Sequence, residues 1–218
     1  MMNLPLELRE RIYELAIPRG KWNLGAASAS QESFFPGIVG DPSGFYFPLS
    51  QTLSVLRVNK TIRHEALPFV YRQTFFQLDD MDDFIRFAVS IGEVGRDNIE
   101  SLEFFWMSKT DSEPRNLELS DTGYYQPRLP CLHTSRCVQL LRQLKRLKLL
   151  RLFFDEDLLW TMTEEGFQTD PGIHELSSIQ GLRRVDILGF GCEALDRQWD
   201  NAHWLKVKME SSKDMTMA

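Results

Sequence analysis

TFFQLDDMDDFIRFAVSIGEVGRDNIESLEFFW, Thr74 to Trp106, changes its apolar period twice, and that change decides the fold. TFFQL, Thr74 to Leu78, is a short run of β-prone residues. Asp79, Asp80, Asp82 and Asp83 then stand at the start of Phe84, Ile85, Phe87, Ala88 and Ile91, whose spacing is helical. A second apolar run, NIESLEFFW from Asn98 to Trp106, follows at once. Strand, helix and strand in this order predict a parallel pair, because the helical crossover returns the chain to the same end of the sheet.

Towards the C-terminus the second run comes back in pattern. Ile99, Leu102, Phe104 and Phe105 line up with Leu147, Leu150, Leu152 and Phe153, 48 residues on (99 to 147), and then with Leu182, Val185, Ile187 and Leu188, a further 35 (147 to 182). Irregular leucine-rich-repeat-like units are expected, each strand covered by the element leading into it. HWLKVKM, His203 to Met209, is expected to add a last strand, and residues 211–218 to fray. Between the repeats, Ser108 to Pro130 has few aliphatics and many Asp, Ser, Gly and Pro residues, and reads as an exposed insertion.

Towards the N-terminus the period is helical. Pro5 suits a first helical position, and Leu4, Leu8, Ile12, Leu15 and Ala16 fall on one stripe that must stop before Pro18. Pro18 to Pro48 reads as a long loop carrying Phe34, Phe35, Phe45, Tyr46 and Phe47. Two helices should follow, one through Leu49, Leu53 and Leu56, the other capped by Asn59 and running through Ile62, Ala66 and Leu67 until Pro68 disturbs it. The expected organisation is a helical module over residues 1–72 with the 18–48 insertion, and an α/β region over residues 73–210.

Composition narrows the function classes. At 218 residues and 43% hydrophobic, the chain can bury a sizeable core. Its 25 Lys and Arg against 31 Asp and Glu leave a net charge of -6, which disfavours a nucleic-acid binder relying on counterion release. Glu7, Arg9, Glu10 and Arg11 interrupt any signal-peptide core, and no run nears a membrane span of about 18 apolar residues, so a cytoplasmic or nuclear protein is expected. The cysteines Cys131, Cys137 and Cys192 are odd in number, which argues against a disulfide framework.

Three local clusters have a chemical reading and a plainer one. Cys131, His133 and Cys137, with His174 or Cys192, could ligate zinc, but the tight paired spacing of structural zinc sites is missing and buried free thiols are the plainer reading. GFGCEA, Gly189 to Ala194, after VDIL matches the letters of a dinucleotide turn built on Gly189 and Gly191, with WLKVKM as the next strand and Glu210 as its acidic residue. As the last unit of the chain it leaves no sequence for further strands, and a strand-end turn is simpler. LDDMDDF should cap a helix rather than bind a divalent ion, and RQLKRLKLLRL, Arg142 to Leu152, should be a solvated helix face. No hydrolase elbow, P-loop, zincin or kinase signature is present, and neither a catalytic residue, a metal nor a cofactor is assigned.

LPLELRERIYELAI at the start and LSVLRVNKTIRHEALPFVYRQTFFQLDDMDDFIRFAVSIG further on together resemble the F-box-like modules of filamentous fungi. The pattern LP-x-E-x-R-x-x-I-(Y/W) is met by Leu4, Pro5, Glu7, Arg9, Ile12 and Tyr13, and L-x-V-x-(K/R)-x-(I/S)-R-x-E-A-L by Leu56, Val58, Ile62, Arg63, Glu65, Ala66 and Leu67. Thr61 replaces the glutamate of the EXR-type variant, which places the likeness with the broader group. The resemblance implies a non-catalytic substrate adaptor for a cullin-RING ubiquitin ligase. Leu4, Pro5, Leu8, Ile12 and Leu15 with Leu53, Leu56, Val58 and Ile62 would meet a Skp-type adaptor protein, and the repeats would hold an unknown protein substrate near Trp106, Trp160 and the 108–130 insertion. Two other classes compete: a free-standing structural or effector-like protein whose apolar helix stripe covers its own core, and a small nucleotide-dependent enzyme built on Gly189 and Gly191.

Overall fold

The computed structural model describes residues 4–17, 19–23, 55–111, 128–155, 162–189, 191 and 194–211. Among these residues five strands form one sheet in chain order: β1 (Gly20–Asn23), β2 (Thr74–Asp80), β3 (Ser101–Phe105), β4 (Leu149–Phe153) and β5 (Arg184–Leu188). Every neighbouring pair is parallel. Leu102 lies opposite Leu150 and Leu150 opposite Val185, then Phe104, Leu152 and Ile187 follow in line. The spacings of 48 and 35 residues read from the sequence are therefore the register itself, and the protein is a mixed α/β fold.

Eight α-helices accompany this sheet among the described residues: α1 (Leu6–Ala16), α2 (Lys60–Gln73), α3 (Met81–Ser90), α4 (Gly92–Asn98), α5 (Thr134–Arg142), α6 (Glu164–Thr169), α7 (Pro171–Ser177) and α8 (Asp200–Glu210). Their starts carry the expected chemistry. The Asn59 side chain accepts the Ile62 N–H at 2.8 Å, and Asp80 accepts that of Asp83 at 2.8 Å, each satisfying a donor the helix leaves free. Gly92 opens α4 at φ 64, where a side chain would clash with its own carbonyl.

Strand alternation sorts side chains onto two faces. Phe76, Leu78, Leu102, Phe104, Leu150, Leu152, Val185 and Ile187 point into one hydrophobic core together with residues of seven helices, among them Tyr13, Leu67, Phe84, Val138, Phe167, Leu176 and Leu205. Aromatic rings run through it from Phe84 stacked on Phe104 at 5.0 Å, past Trp106 and Phe154, to Phe167 against Trp199 at 4.7 Å. The other face carries Phe75, Gln77, Glu103, Arg151 and Asp186.

Four expectations are corrected. GKWN, Gly20 to Asn23, begins the region expected to be a loop, yet it adds β1 to the edge of the sheet by pairing with residues 74–77. Pro68 does not end its helix, for α2 continues to Gln73. The missing N–H and the ring cost about 3 kcal/mol. Burial of Leu67, Phe69, Val70 and Tyr71, about 1.5 to 3 kcal/mol for each large apolar side chain, outweighs that cost. HWLKVKM is part of α8 rather than a strand, with Ala202, Leu205 and Met209 buried at helical spacing. RQLKRLKLLRL is helical only to Arg142, then turns and enters β4. β1 joins the sheet, and one core contains Tyr13, Ile17 and Met209 alike. The helix expected around Leu49 to Leu56 is described only at residues 55–57, a short 3-10 turn, and most of the 18–48 and 108–130 insertions lie outside the described residues.

Candidate functional site

α1 is held to the body by its more polar face. The Tyr13 ring is fully buried, 5.9 Å from Phe69, and its hydroxyl donates to Glu65 Oε2 at 2.8 Å. Arg9, one turn earlier, reaches Glu65 Oε1 at 3.2 Å, and Ile17, one turn later, is buried. Burial, and then the Glu65 carboxylate beside it, push the Tyr13 hydroxyl up to about 12. The sequence places Tyr13 and Ile17 off the apolar stripe, so this face fastens the helix and leaves the other free.

The apolar stripe is that other face. Leu4 is 39% exposed, Leu8 53%, Ile12 37% and Leu15 74%. Leu8, Ile12 and Leu15 stand at i, i+4 and i+7 and so share one side of the helix. Pro5 and Val58 are exposed as well. The expected adaptor set thereby divides. Leu56 and Ile62 belong to the core, because the turn at 55–57 and the Asn59 cap aim them inward, so they are withdrawn from the surface. Leu53 lies outside the described residues.

The second surface is the polar face of the sheet, which the sequence reading missed. Glu103 is only 2% exposed there, between Lys21 Nζ at 3.2 Å and Arg151 Nη1 at 3.6 Å. Arg151 Nε continues to Asp186 at 2.8 Å, and Arg184 Nε meets the same carboxylate at 2.8 Å. Arg151 and Lys21 both lie over the Phe75 ring, at 5.1 and 5.5 Å. Burial raises the Asp186 carboxyl, but the bonds from Arg184 and Arg151 outweigh it and hold the group below its usual range. Glu103, Arg151 and Asp186 occupy one register row, with the same 48 and 35 residue spacings as the apolar repeats, so the ladder was present in the sequence as alternation within each run.

Trp106 is not part of a surface. It is 2% exposed between Phe104 and Phe154, because the residue following β3 turns into the core, and the expectation that it contacts a substrate is withdrawn. Trp160 lies outside the described residues.

The chemical candidates separate in the same way. Cys137 is in the core, where burial pushes its thiol well up, whereas Cys131 is exposed with Asp111 accepting from its backbone N–H at 3.0 Å. Among the described residues no three metal-capable side chains come together, and Cys192 lies outside them. The Gly189 turn is followed by the 3-10 turn Leu195–Arg197 and then by α8, so the second strand of a dinucleotide unit is a helix instead. Glu210, the residue needed for a ribose, accepts the Val185 N–H at 2.7 Å. The acidic run divides its labour: Asp80 caps α3, whereas buried Asp82 accepts from the Ser108 hydroxyl at 2.9 Å and the Thr110 N–H at 3.2 Å and so pins the start of the insertion.

No helix among the described residues is long and apolar enough to cross a membrane. Compared with protein-family models, curated proteins and solved structures, the chain matches none of them.

Proposed function

We propose that this chain is a non-catalytic interaction protein of the F-box-like kind, in which α1 docks on a Skp-type adaptor of a cullin-RING ubiquitin ligase and the repeat layer carries a protein substrate in the cytoplasm or nucleus. The observation that supports the reading is the outward stripe of Leu4, Leu8, Ile12 and Leu15 on a helix already fastened through Tyr13 and Ile17. A helix that served only its own core would bury that stripe. Each of these side chains would contribute on the order of 1 to 3 kcal/mol if a groove enclosed it, which is the usual logic of a helix laid in an apolar cleft. The polar ladder from Lys21 to Arg184 takes the place of Trp106 as the surface for a substrate, since its charged rows stand on rigid strands.

The test is a pull-down of the wild type and of a Leu8→Asp, Ile12→Asp double variant with a fungal Skp-type adaptor, with circular dichroism confirming that both are folded. Binding by the wild type and its loss in the folded variant are expected. A folded wild type that captures no adaptor overturns the reading and leaves an interaction protein without a ligase.

A further inference from the structure

A cleft of about 620 Å³ lies at the end of the sheet where β2, β3 and β4 begin, between the ends of α2 and α4 and the turn before β4, and Arg72, Asp97, Asn98, Lys145 and Arg146 line it. Its charges are unevenly spent. Asp97 is taken by Lys145 at 2.9 Å, and nearby Glu100 by Lys148 at 2.7 Å. Arg146 makes no hydrogen bond or ion pair among the described residues. Arg72 has only a neutral partner: its Nε donates to Asn98 Oδ1 at 2.8 Å, and its guanidinium lies over the Phe69 ring at 5.1 Å. Asn98 is fixed in turn by donating to Val94 O at 2.9 Å. The planar fork of Arg72 is thus held in place at one edge while its terminal nitrogens have no partner among the described residues. Burial first, and then the neighbouring Arg146, pull the Arg72 guanidinium down, and Glu100, Glu10 and Glu14 offset this only in part. Two like charges sharing a cleft whose one lining carboxylate, Asp97, is taken by Lys145, in a protein of net charge -6, need a reason.

We propose that Arg72 and Arg146 form the two sides of a binding site for a phosphate group. Two guanidiniums around one cleft suit a tetrahedral oxyanion, because each offers paired donors in a fixed plane and a dianion relieves their mutual repulsion. Arg72 is the preorganised half. Arg146, exposed on the turn, closes on the anion from the opposite side. This site is independent of the α1 stripe.

Isothermal titration of the full chain with inorganic phosphate, against sodium chloride at equal ionic strength, tests it. Phosphate is expected to bind where chloride does not, and Arg146→Gln, an exposed change that leaves the fold alone, is expected to weaken binding by about tenfold to a hundredfold, the usual worth of a charged hydrogen bond. Arg72→Lys, which keeps the charge but loses the fork, should also bind more weakly. Succinate, a dicarboxylate of similar charge, should bind less well than phosphate. Phosphoserine binding tighter than inorganic phosphate assigns the site to a phosphorylated side chain, and equal binding assigns it to the free anion. Equal heats with phosphate and chloride, or wild-type affinity in folded Arg146→Gln, overturn the proposal. The Leu8→Asp, Ile12→Asp variant should keep phosphate binding whatever happens to its docking.

Discussion

The Glu65 carboxylate fastens α1 by taking the Tyr13 hydroxyl on one oxygen and the Arg9 guanidinium on the other, and replacing it tests how the helix is held. Glu65→Ala leaves the buried hydroxyl without an acceptor, at about 1 to 3 kcal/mol. It also removes an ion pair whose side chains are 15% and 20% exposed, which adds about 1 kcal/mol. The expected total is about 2 to 4 kcal/mol. Tyr13→Phe removes the hydroxyl but leaves Glu65 with Arg9 and the ring against Phe69, so its cost should stay near 1 kcal/mol. In the double variant no hydroxyl remains to be orphaned. Its loss should therefore fall short of the sum of the two single losses by about 1 to 2 kcal/mol, as expected of residues sharing one contact. Urea unfolding of the four proteins gives the cycle, and amide exchange in α1 locates the loosening. Additive losses, or unchanged exchange in α1, would refute the idea that this contact fastens the helix.

Other outcomes can be measured on the same preparations. The Leu8→Asp, Ile12→Asp variant should unfold within about 1 kcal/mol of the wild type, since both positions already face water, while losing any adaptor in the pull-down. Because the folded-state hydroxyl of Tyr13 is raised to about 12, its contribution is complete below the unfolded value near 10 and is lost as pH climbs through 12; Tyr13→Phe should show a smaller alkaline decline in urea midpoint. Asp186 is shifted the other way, so its stabilisation is present above the usual carboxylate value near 4 and fades as pH falls below it; Asp186→Asn should flatten that acid limb. Gly95→Ala should destabilise by about 2 kcal/mol in thermal unfolding despite the better helix propensity of alanine, because the new methyl would lie 2.6 Å from Ile91 Cβ.

Repeated runs of strand residues were the most legible part of the sequence. Leu102, Leu150 and Val185 must each face a core, and parallel strands buried on that side leave little freedom of register, so equal spacing in sequence became equal height in the sheet. Local caps were equally readable at Asn59 and Asp80, where one side chain serves one free N–H. What failed depended on distant packing. GKWN has weak strand propensity and pairs only because β2 offers an open edge 54 residues away, from Gly20 to Thr74. WLKVKM alternates like a strand, yet Ala202, Leu205 and Met209 at helical spacing find a core and decide the matter. At the candidate surface, periodicity identified the stripe of α1 but not which side of the helix was fastened. That was set by Glu65, 52 residues from Tyr13.

The outer edge of the last strand is met by groups of the same chain. Arg184 N–H bonds inward to Lys148 O at 3.0 Å, so the next N–H along β5, that of Val185, points away from the sheet. It is taken by a carboxylate, Glu210, while Leu182 and Gly181 just before the strand donate to Met209 O and Ser211 O. Beyond the strand, Leu188 meets Ala194 in a single antiparallel bridge. A stack of parallel strands in chain order has two open edges, and an open edge is a template on which a second copy can add. Here the end of α8 occupies the start of the growing edge, with a side-chain carboxylate and two carbonyls that an incoming strand would have to displace. The β5 edge is thereby blocked where the strand begins, which disfavours end-to-end polymerisation there, and among the described residues β1 presents four residues at the other edge.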